Sequence, residues 1–496
     1  MIQALAQIQR TTLFALLFGG TIMGGLLTPN IAAAEPITLS DAIRKVLATH
    51  PDLAISHIQR EKAEASVQTI EAQLDPLLGA RIGYSDETNP VTNSFSPTGT
   101  TSSYLQGQAS LPLASGGTLE ATAQYSKSKV TAPFPLSPNP AYRGQIDLSY
   151  RHPLMKGAGR PDYHDAKKAA IENSRMARAQ DLSIARQLAL QTLTRYYTLS
   201  RQEITLQLAK ESVERAERLL AFQKRQERLG LIEAADRAQT EAFLAARRLD
   251  LENSRAQLAA AQTNLARLMQ SDTGSLVSTS GKRKKVKAQP ISTAAAIDAA
   301  LAKRPEFVAL KARIAAAEAK LHQSMDKDEM MLDIIAQAGT RSQDAKAGKA
   351  FNSSFGGQDH FVGIALELGG TVGSEAGRSQ IRLAELDRQQ ALAEQRQLEE
   401  NIKTEISNLL TTIRSEQRTL RAVEEQVAAE QRKYDMEMKR YKNGRSSTAT
   451  IIQFEGELFS ARLQAALRRI VLEQNLIQLA WSMGEFPSAA EMEEMQ

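Results

Sequence analysis

Few residues of this sequence have the type and spacing that chemistry requires. The six histidines, at positions 50, 57, 152, 164, 322 and 360, form no HExxH or other metal-ligand spacing. The acidic run "DKDE" at 326–329 is better explained as a solvated cluster at a helix end than as a cation site. The stretch "HPLMKGAGR" at 152–160 resembles a phosphate-binding loop, but no strand–loop–helix unit with a following acid accompanies it. The sequence therefore predicts no enzyme, no cofactor and no metal site.

The composition favours long helices over a compact mixed core. Aromatic residues make up 5% of 496 residues, and the chain is rich in Ala, Gln, Glu and Arg. Cysteine is absent, which excludes disulfides, thiolate metal sites and a lipid-anchored N-terminal cysteine. The net charge of +5 comes from 61 basic and 56 acidic residues, a near balance that gives no reason to expect nucleic acid as a partner.

The first 34 residues have the pattern of a secretory signal peptide. Arg10 precedes an apolar run from Leu13 to Leu27, and small residues stand at Ala32 and Ala34. We therefore expect a signal peptide over 1–34, cleaved after Ala34, and an exported mature chain.

The sequence contains a tandem duplication, which fixes architecture more firmly than local propensity does. At an offset of 254, residues 37–65 align with residues 291–319, and Pro51 coincides with Pro305. At an offset of 214, Gly230 coincides with Gly444, and identical residues continue along both following segments. We therefore expect a first repeat over 35–290 and a second repeat over 291–496, with 40 extra residues between the aligned blocks of the first.

Proline placement separates helices from strands within each repeat. No proline occurs over 162–289 or 306–486, whereas eleven fall between 51 and 161. In the first repeat we expect a helix over 40–75, strands over 78–153, a long helix over 162–229, a returning helix over 231–270 and a linker over 271–290. In the second repeat we expect a helix over 293–329, strands over 332–370, a long helix over 378–443 and a returning helix over 445–483.

The expected strands alternate apolar and polar residues with a period of two. The clearest examples are Ile146, Leu148 and Tyr150, and then Val362, Ile364, Leu366 and Leu368. An outer-membrane barrel strand requires this pattern, because one face meets lipid and the other meets water. Half-buried strands of a soluble sandwich give the same pattern; export, absent cysteine and long loops favour the barrel. The alternating stretches 104–111 and 119–125 leave the strand number open at four or six per chain.

The order of segments, their matched lengths and the duplication resemble the TolC-type outer-membrane efflux proteins over essentially the whole mature chain. The resemblance implies a mixed α and β fold, with duplicated strands and very long antiparallel helices. It further implies a homotrimer whose β-barrel lies in outer-membrane lipid and continues as an α-helical barrel into the periplasm. As implied by the family, the protein is the passive exit duct of a tripartite efflux or type I secretion system. A periplasmic adaptor protein would couple it to an inner-membrane transporter.

The two coincident glycines mark the tips where a long helix reverses into a returning helix, because Gly accepts the positive φ of a helix C-terminus. The resemblance makes these tips the adaptor contact, and the residues expected there are Arg228, Leu229, Gly230, Leu231, Tyr441, Gly444, Arg445 and Ser446. It also implies a closable entrance, for which the matching positions are Asp236, Tyr441 and Arg445. A solvated first-turn acid is an equally good reading of Asp236.

A second class of protein shares several of these features. A periplasmic coiled-coil structural or adaptor protein would also be exported and helical, with its strands in a soluble domain. Adaptors, however, resemble a single helical hairpin flanked by β domains, whereas each half of this sequence has its own strands and its own hairpin. The duplication therefore favours the duct. The exported substrate cannot be read from the sequence.

Overall fold

The computed structural model describes residues 35–485, except 89, 91–92, 94–95, 272–276, 280–290, 357–358 and 372. The expected signal peptide and most of the expected linker lie outside the described residues. Within the first repeat the elements are β1 (Glu35–Ile37), α1 (Leu39–Thr49), α2 (Pro51–Glu71), β2 (Leu77–Thr88), β3 (Gly99–Pro112), β4 (Thr118–Thr131), β5 (Ala141–Pro153), α3 (Pro161–Arg228), α4 (Ala234–Leu268) and β6 (Val277–Thr279). In the second they are α5 (Thr293–Lys303), α6 (Pro305–Asp328), β7 (Met331–Asp344), α7 (Ala347–Phe355), β8 (Asp359–Gly369), α8 (Glu375–Lys442) and α9 (Thr448–Ser482).

The helices dominate the molecule and have matched lengths in the two repeats. Helices α3 and α8 each have 68 residues, and α4 and α9 each have 35. At 1.5 Å per residue, α3 and α8 are each about 100 Å long. Helix α3 packs along α2, α4 and α6, while α8 packs along α9, α5 and α6. None of the helices in the described part of the chain is long and apolar enough to cross a membrane.

The expected single helices over 40–75 and 293–329 are each divided into two. The breaks fall at His50 and Arg304, which have extended backbone angles and directly precede Pro51 and Pro305. Proline crowds the backbone of the residue before it and disfavours the helical conformation there. The first two helices of each repeat are therefore an 11-residue helix and a separate helix that starts at the proline.

An ion pair between the buried Arg304 and the half-buried Glu405 closes the break in the second repeat. The Arg304 side chain donates from Nε to the carbonyl oxygen of Ser482 at 2.7 Å, and from both terminal nitrogens to Glu405 at 2.8 and 2.9 Å. Burial alone would raise the pKa of Glu405, but hydrogen bonds from Arg304 and Ser482 outweigh it and hold that pKa below its ordinary value. The junction of α5 and α6 is thus tied to α8 and α9.

Six strands form one antiparallel sheet in the order β2-β3-β4-β5-β7-β8. The stretches whose status the sequence left open, 104–111 and 119–125, lie in β3 and β4, inside this sheet. The described part of one chain therefore contributes six strands to the sheet, with β2 and β8 at its edges. A separate parallel pair joins β1 to β6 and fixes the start of the described chain beside the end of α4.

Helix α7 lies within the region 332–370 where the sequence indicated only strands. It packs against β5 and β7. Nine residues are too few to be helical by their own propensity, so packing on the sheet stabilises it. Ala350 and Ser354, one helical turn apart, are its buried residues. This dependence on tertiary contacts explains why the local sequence gave no sign of it.

Candidate functional site

Both helical tips are built in the same way. At the end of α3, Gly230 donates to the Glu227 carbonyl and Leu231 donates to the Gln226 carbonyl, each at 2.9 Å. Such paired bonds define a Schellman motif, whose central residue needs a positive φ. The φ of Gly230 is +71°, and a Cβ added there would meet no atom within 4 Å. Glycine is therefore required for its backbone angle and not for space.

The end of α8 repeats this geometry. Gly444 has a φ of +69° and donates to the Tyr441 carbonyl at 2.9 Å. Arg445 donates from its backbone to the Arg440 carbonyl, also at 2.9 Å. The two glycines that the duplication singled out are therefore equivalent turn residues.

The remaining residues expected at the tips divide into exposed and buried sets. Arg228 and Arg445 are exposed, and Ser446 is half-buried. Leu229 and Leu231 expose 69% and 66% of their surface, which leaves two apolar side chains open at the first tip. Tyr441, in contrast, is buried.

Tyr441 joins the two helical hairpins of the chain. Its hydroxyl accepts from Nε2 of Gln223 in α3 at 2.8 Å and lies 3.1 Å from the hydroxyl of Thr448 in α9. Gln223 also donates to Thr448 at 3.0 Å, and both residues are buried. A buried network of this kind costs more to break than the same bonds in water. The network connects the end of α3 to the turn between α8 and α9.

Asp236 lies apart from this network. It stands in the first turn of α4 and is half-buried. Among the described residues, no hydrogen bond or ion pair joins its carboxylate to Tyr441 or to Arg445. The neighbouring Arg237 forms ion pairs with Glu227 of α3 at 3.1 Å and with Glu241 at 3.3 Å.

A second polar contact between the hairpins lies further from the tip. Glu455 of α9 is buried and accepts from Ser212 at 2.8 Å and from Nε of Arg215 at 3.1 Å, both in α3. Burial raises the pKa of the neighbouring Tyr434, and the negative charge of Glu455 raises it further. Sequence reasoning missed Gln223, Thr448 and Glu455 as contact residues. The coincidence of Glu241 with Glu455 in the duplication was the one available signal.

The sheet has one apolar face and one largely polar face. Directly paired residues share a face, so the register gives rows such as Ala80, Gly107, Ala123, Ile146 and Thr340. The apolar face is open: its exposed side chains include Leu78, Ile82, Leu105, Leu148, Val362, Ile364, Leu366 and Leu368. The opposite face includes Arg81, Gln106, Gln108, Glu120, Gln124, Gln145, Asp147, Arg151, Gln337, Arg341 and Glu367.

The glycine-rich stretch and the acidic run meet where the sheet joins the helices. The backbone nitrogen of Gly157 donates to Asp326 at 2.9 Å, and Nζ of Lys156 donates to the Lys327 carbonyl at 2.6 Å. Both motifs therefore have a structural role at the junction of β5 and α3 with the end of α6. In the described part of the chain, no cluster of three or more potential ligands could hold a metal ion.

A sheet with one exposed apolar face, joined to two pairs of long helices, indicates the class: a membrane channel protein with a helical extension. Residues 296–485, within the second repeat, match the model of the outer membrane efflux protein family. This confirms the resemblance to TolC-type outer-membrane efflux proteins, with location in the outer membrane and extension into the periplasm. No curated protein sequence matches the chain.

Solved structures confirm the fold. CusC, described as forming a transmembrane channel, is 16% identical with a TM-score of 0.67, covering 92% of this chain and 96% of its own. The outer membrane protein VceC of Vibrio cholerae is 15% identical with a TM-score of 0.66, covering 90% and 96%. The CmeC outer membrane channel of Campylobacter jejuni is 14% identical with a TM-score of 0.64, covering 96% and 94%. The likeness extends over both repeats.

Proposed function

We propose that three copies of this chain form a passive exit duct that carries efflux substrates across the periplasm and the outer membrane. The observation that carries the proposal is the six-stranded sheet, which exposes one apolar face and ends in the two edge strands β2 and β8. An isolated sheet of this kind would expose both a large apolar surface and unpaired backbone groups to water.

The strand number supports closure between copies. An antiparallel sheet with an even number of strands has edges that run in opposite directions, so β8 of one copy can pair antiparallel with β2 of the next. Three sheets of six strands give a barrel of eighteen. The strands have 11 to 14 residues, enough for the roughly 9–11 that a tilted membrane strand needs. The apolar face would then meet lipid, and the polar face would line the pore.

The helices support the extension into the periplasm. Helices of about 100 Å with narrow apolar stripes need neighbouring helices along their whole length. Adjacent copies in a trimer supply them. At the far end, the exposed Leu229, Leu231, Arg228 and Arg445 offer a surface for a periplasmic adaptor protein, which would connect the duct to an inner-membrane transporter.

The entrance gate in this proposal lies at the same tips. The Gln223–Tyr441–Thr448 network holds the α8–α9 hairpin against α3, and widening the entrance requires the two hairpins to separate. In this proposal Asp236 and Arg445 link neighbouring copies, and their position at the tips outside the network supports that role. Opening therefore depends on breaking Tyr441 contacts within one chain and Asp236 contacts between chains.

Single-channel recording in planar bilayers tests the gate. Tyr441→Phe removes one hydroxyl, which costs about 0.5–1.5 kcal/mol, so the long helices keep their stability while the entrance loosens. We expect higher conductance for Tyr441→Phe, higher conductance for Asp236→Ala, and the highest for the double variant. Arg445→Ala is the next variant in the series. Wild-type conductance in all of these variants, with trimers intact on gels, would place the gate elsewhere.

Membrane fractionation separates the duct from the alternative periplasmic coiled-coil or adaptor protein. The duct should fractionate with the outer membrane and run as a heat-modifiable trimer. Recovery as a monomer in the periplasmic fraction, with helical content intact, would support the alternative instead.

A further inference from the structure

Helix α7 lies on the apolar face of the sheet. Thr340 and Ser342, which contact it, share that face with Ala338 in the same strand. Since β7 follows α6 and β8 precedes α8, the connection between these strands lies at the sheet end furthest from the long helices. In the proposed barrel, with the apolar face toward lipid, the helix therefore sits on the lipid side of the wall, at the outer end, and not in the pore.

Specific hydrogen bonds hold α7 against the sheet. The hydroxyl of Tyr125 donates to the Ala347 carbonyl at 2.9 Å, Ser342 donates to the Ala350 carbonyl at 2.5 Å, and Thr340 donates to the Ser354 carbonyl at 2.5 Å. A Cβ at Gly144 would lie 1.8 Å from Oγ of Ser354, so glycine is what allows the helix to approach. The helix thereby pairs the hydroxyl groups of Thr340 and Ser342 on the apolar face.

The outward side of α7 is aromatic and basic. Phe351 and Phe355 expose 52% and 67% of their surface, and their rings contact each other at 5.3 Å between centroids. Lys346 and Lys349 are exposed on or beside the helix, and Lys127 and Lys129 are exposed on the same face of β4. An aromatic and basic amphipathic helix of this kind is typical of a membrane–water interface.

The level of α7 along the strand agrees with that position. From Leu332 to Ser342 the apolar face covers ten residue steps. Ten steps span about 34 Å along a strand, or about 25 Å along the axis of a tilted barrel, which is the height of a typical apolar band. Helix α7 lies over the outer end of that band, at Thr340 and Ser342.

We infer that α7 is a lipid-binding element, which inserts Phe351 and Phe355 at the outer boundary of the bilayer and binds phosphate-bearing lipid headgroups through Lys346, Lys349, Lys127 and Lys129. Because α7 continues the apolar face and lysines are in excess around it, the binding partner that fits this surface is lipid. The inference rests on the proposed function, because it requires the sheet to form a barrel wall in the membrane.

Because the chain has no cysteine, single-cysteine spin labels test the position directly in trimers reconstituted into vesicles. Val362 lies on the apolar face and its neighbour Phe361 on the opposite face, so they form a matched pair. We expect the label at Val362→Cys to be accessible to oxygen dissolved in lipid, and the label at Phe361→Cys to a water-soluble nickel chelate. The label at Phe355→Cys should resemble Val362→Cys but report a shallower depth.

The outcomes separate the two proposals. If Val362→Cys is accessible mainly to the chelate, the barrel itself is wrong. If Val362→Cys is in lipid but Phe355→Cys is as open to the chelate as Phe361→Cys, the barrel stands and the role of α7 is overturned. Immobilisation of the Phe355→Cys label without access to either reagent would mean that a neighbouring copy covers α7, which also overturns the inference.

Lipid titration tests the lysines. We expect fluorescent phosphatidylglycerol to bind trimers in neutral detergent more tightly than the phosphatidylcholine analogue. Lys346→Gln with Lys349→Gln should weaken phosphatidylglycerol binding by about fivefold per lysine and leave phosphatidylcholine binding unchanged. The control pair Lys45→Gln with Lys62→Gln changes the net charge equally at exposed helix positions. Equal weakening in both pairs would overturn the headgroup contact.

Discussion

The two repeats agree in their helices and differ in their sheets. Helices α3 and α8 have the same length, as do α4 and α9, whereas the first repeat supplies four strands and the second supplies two strands and α7. Helix α9 packs against both α3 and α8, so a change of length in one long helix would misplace its tip against the other hairpin. A sheet accepts an extra hairpin without disturbing its neighbours, because each strand pairs only with the strands beside it. The length of the long helices is therefore constrained, whereas the number of strands can differ between the repeats.

Deleting residues 99–131 is the strongest test of this difference. The deletion removes β3 and β4 and places β2 beside β5, and the faces are kept because Ala80 and Ile146 belong to the same row. Barrel diameter grows roughly linearly with strand number, so we expect the barrel to narrow by about one third. Trimers should persist, because the helices are unchanged. Top views by electron microscopy measure the width, and an unchanged width would contradict a barrel of six strands per chain.

Arg304→Met should have the next largest effect. The substitution leaves the Ser482 carbonyl without the Arg304 donor, and Glu405 keeps its hydrogen bond from the Ser482 hydroxyl but loses the guanidinium. We expect a loss of about 2 kcal/mol, below the 3–5 typical of fully buried pairs because the Glu405 side chain is 40% exposed. The equivalent residue of the first repeat, His50, accepts a weak cap bond from the backbone nitrogen of Asp52 at 3.3 Å and lies 3.7 Å from the Asp52 carboxylate, both local contacts. His50→Met should therefore lower the melting temperature of the helical signal less than Arg304→Met does.

Lowering the pH should remove the contribution of the Arg304–Glu405 ion pair to stability. The folded-state pKa of Glu405 is depressed, so its contribution is present above the unfolded value of about 4.3 and is lost as the pH falls through the folded value. The difference in melting temperature between the wild type and Arg304→Met should shrink over that range. A difference independent of pH would show that packing, and not charge, distinguishes Arg304 from His50.

Gly230→Ala and Gly444→Ala should have equal, smaller effects. Both glycines have nearly the same positive φ and open space around them, so each alanine costs only backbone strain of about 1–2 kcal/mol. Gly456 inside α9 also has open space, but Gly456→Ala should stabilise the helix by up to about 1 kcal/mol. Hydrogen exchange of amides near the tips measures the change. Unequal losses would show that the two turns are not equivalent.

His322→Gln should have the smallest effect. Nδ1 of His322 in α6 contacts Asp165 of α3 at 2.5 Å, and this hydrogen bond raises the pKa of His322. Its stabilisation is present below the unfolded value of about 6.5 and is lost as the pH rises through the raised folded value. The His322 side chain is 70% exposed, so we expect at most about 0.5 kcal/mol. The aligned residue of the first repeat is Gln68. Near pH 5.5 the wild type should melt at a higher temperature than His322→Gln, and near pH 9 the two should melt at the same temperature.

The sequence predicted the features that depend on periodicity and repetition. Proline-free stretches indicated α3 and α8, the two coincident glycines indicated the tips, and alternation indicated the two faces of the sheet. The contacts of Gln223, Arg304 and Glu455 could not be predicted, because each joins elements that are far apart in sequence. Helix α7 escaped prediction for a related reason, since its stability comes from Thr340 and Ser342 in β7 and from Tyr125 in β4, which is distant in sequence.

The matched lengths of α3 and α8 have a consequence for symmetry. Both helices begin just after the sheet, so their turns at Gly230 and Gly444 lie at similar distances from it. A trimer then presents a rim of six turns with two alternating chemistries: an apolar Leu229-Gly230-Leu231 and a polar Asn443-Gly444-Arg445. The backbone of this rim is nearly sixfold while its side chains are strictly threefold. Six copies of one partner bound around this rim would therefore occupy two inequivalent kinds of binding site.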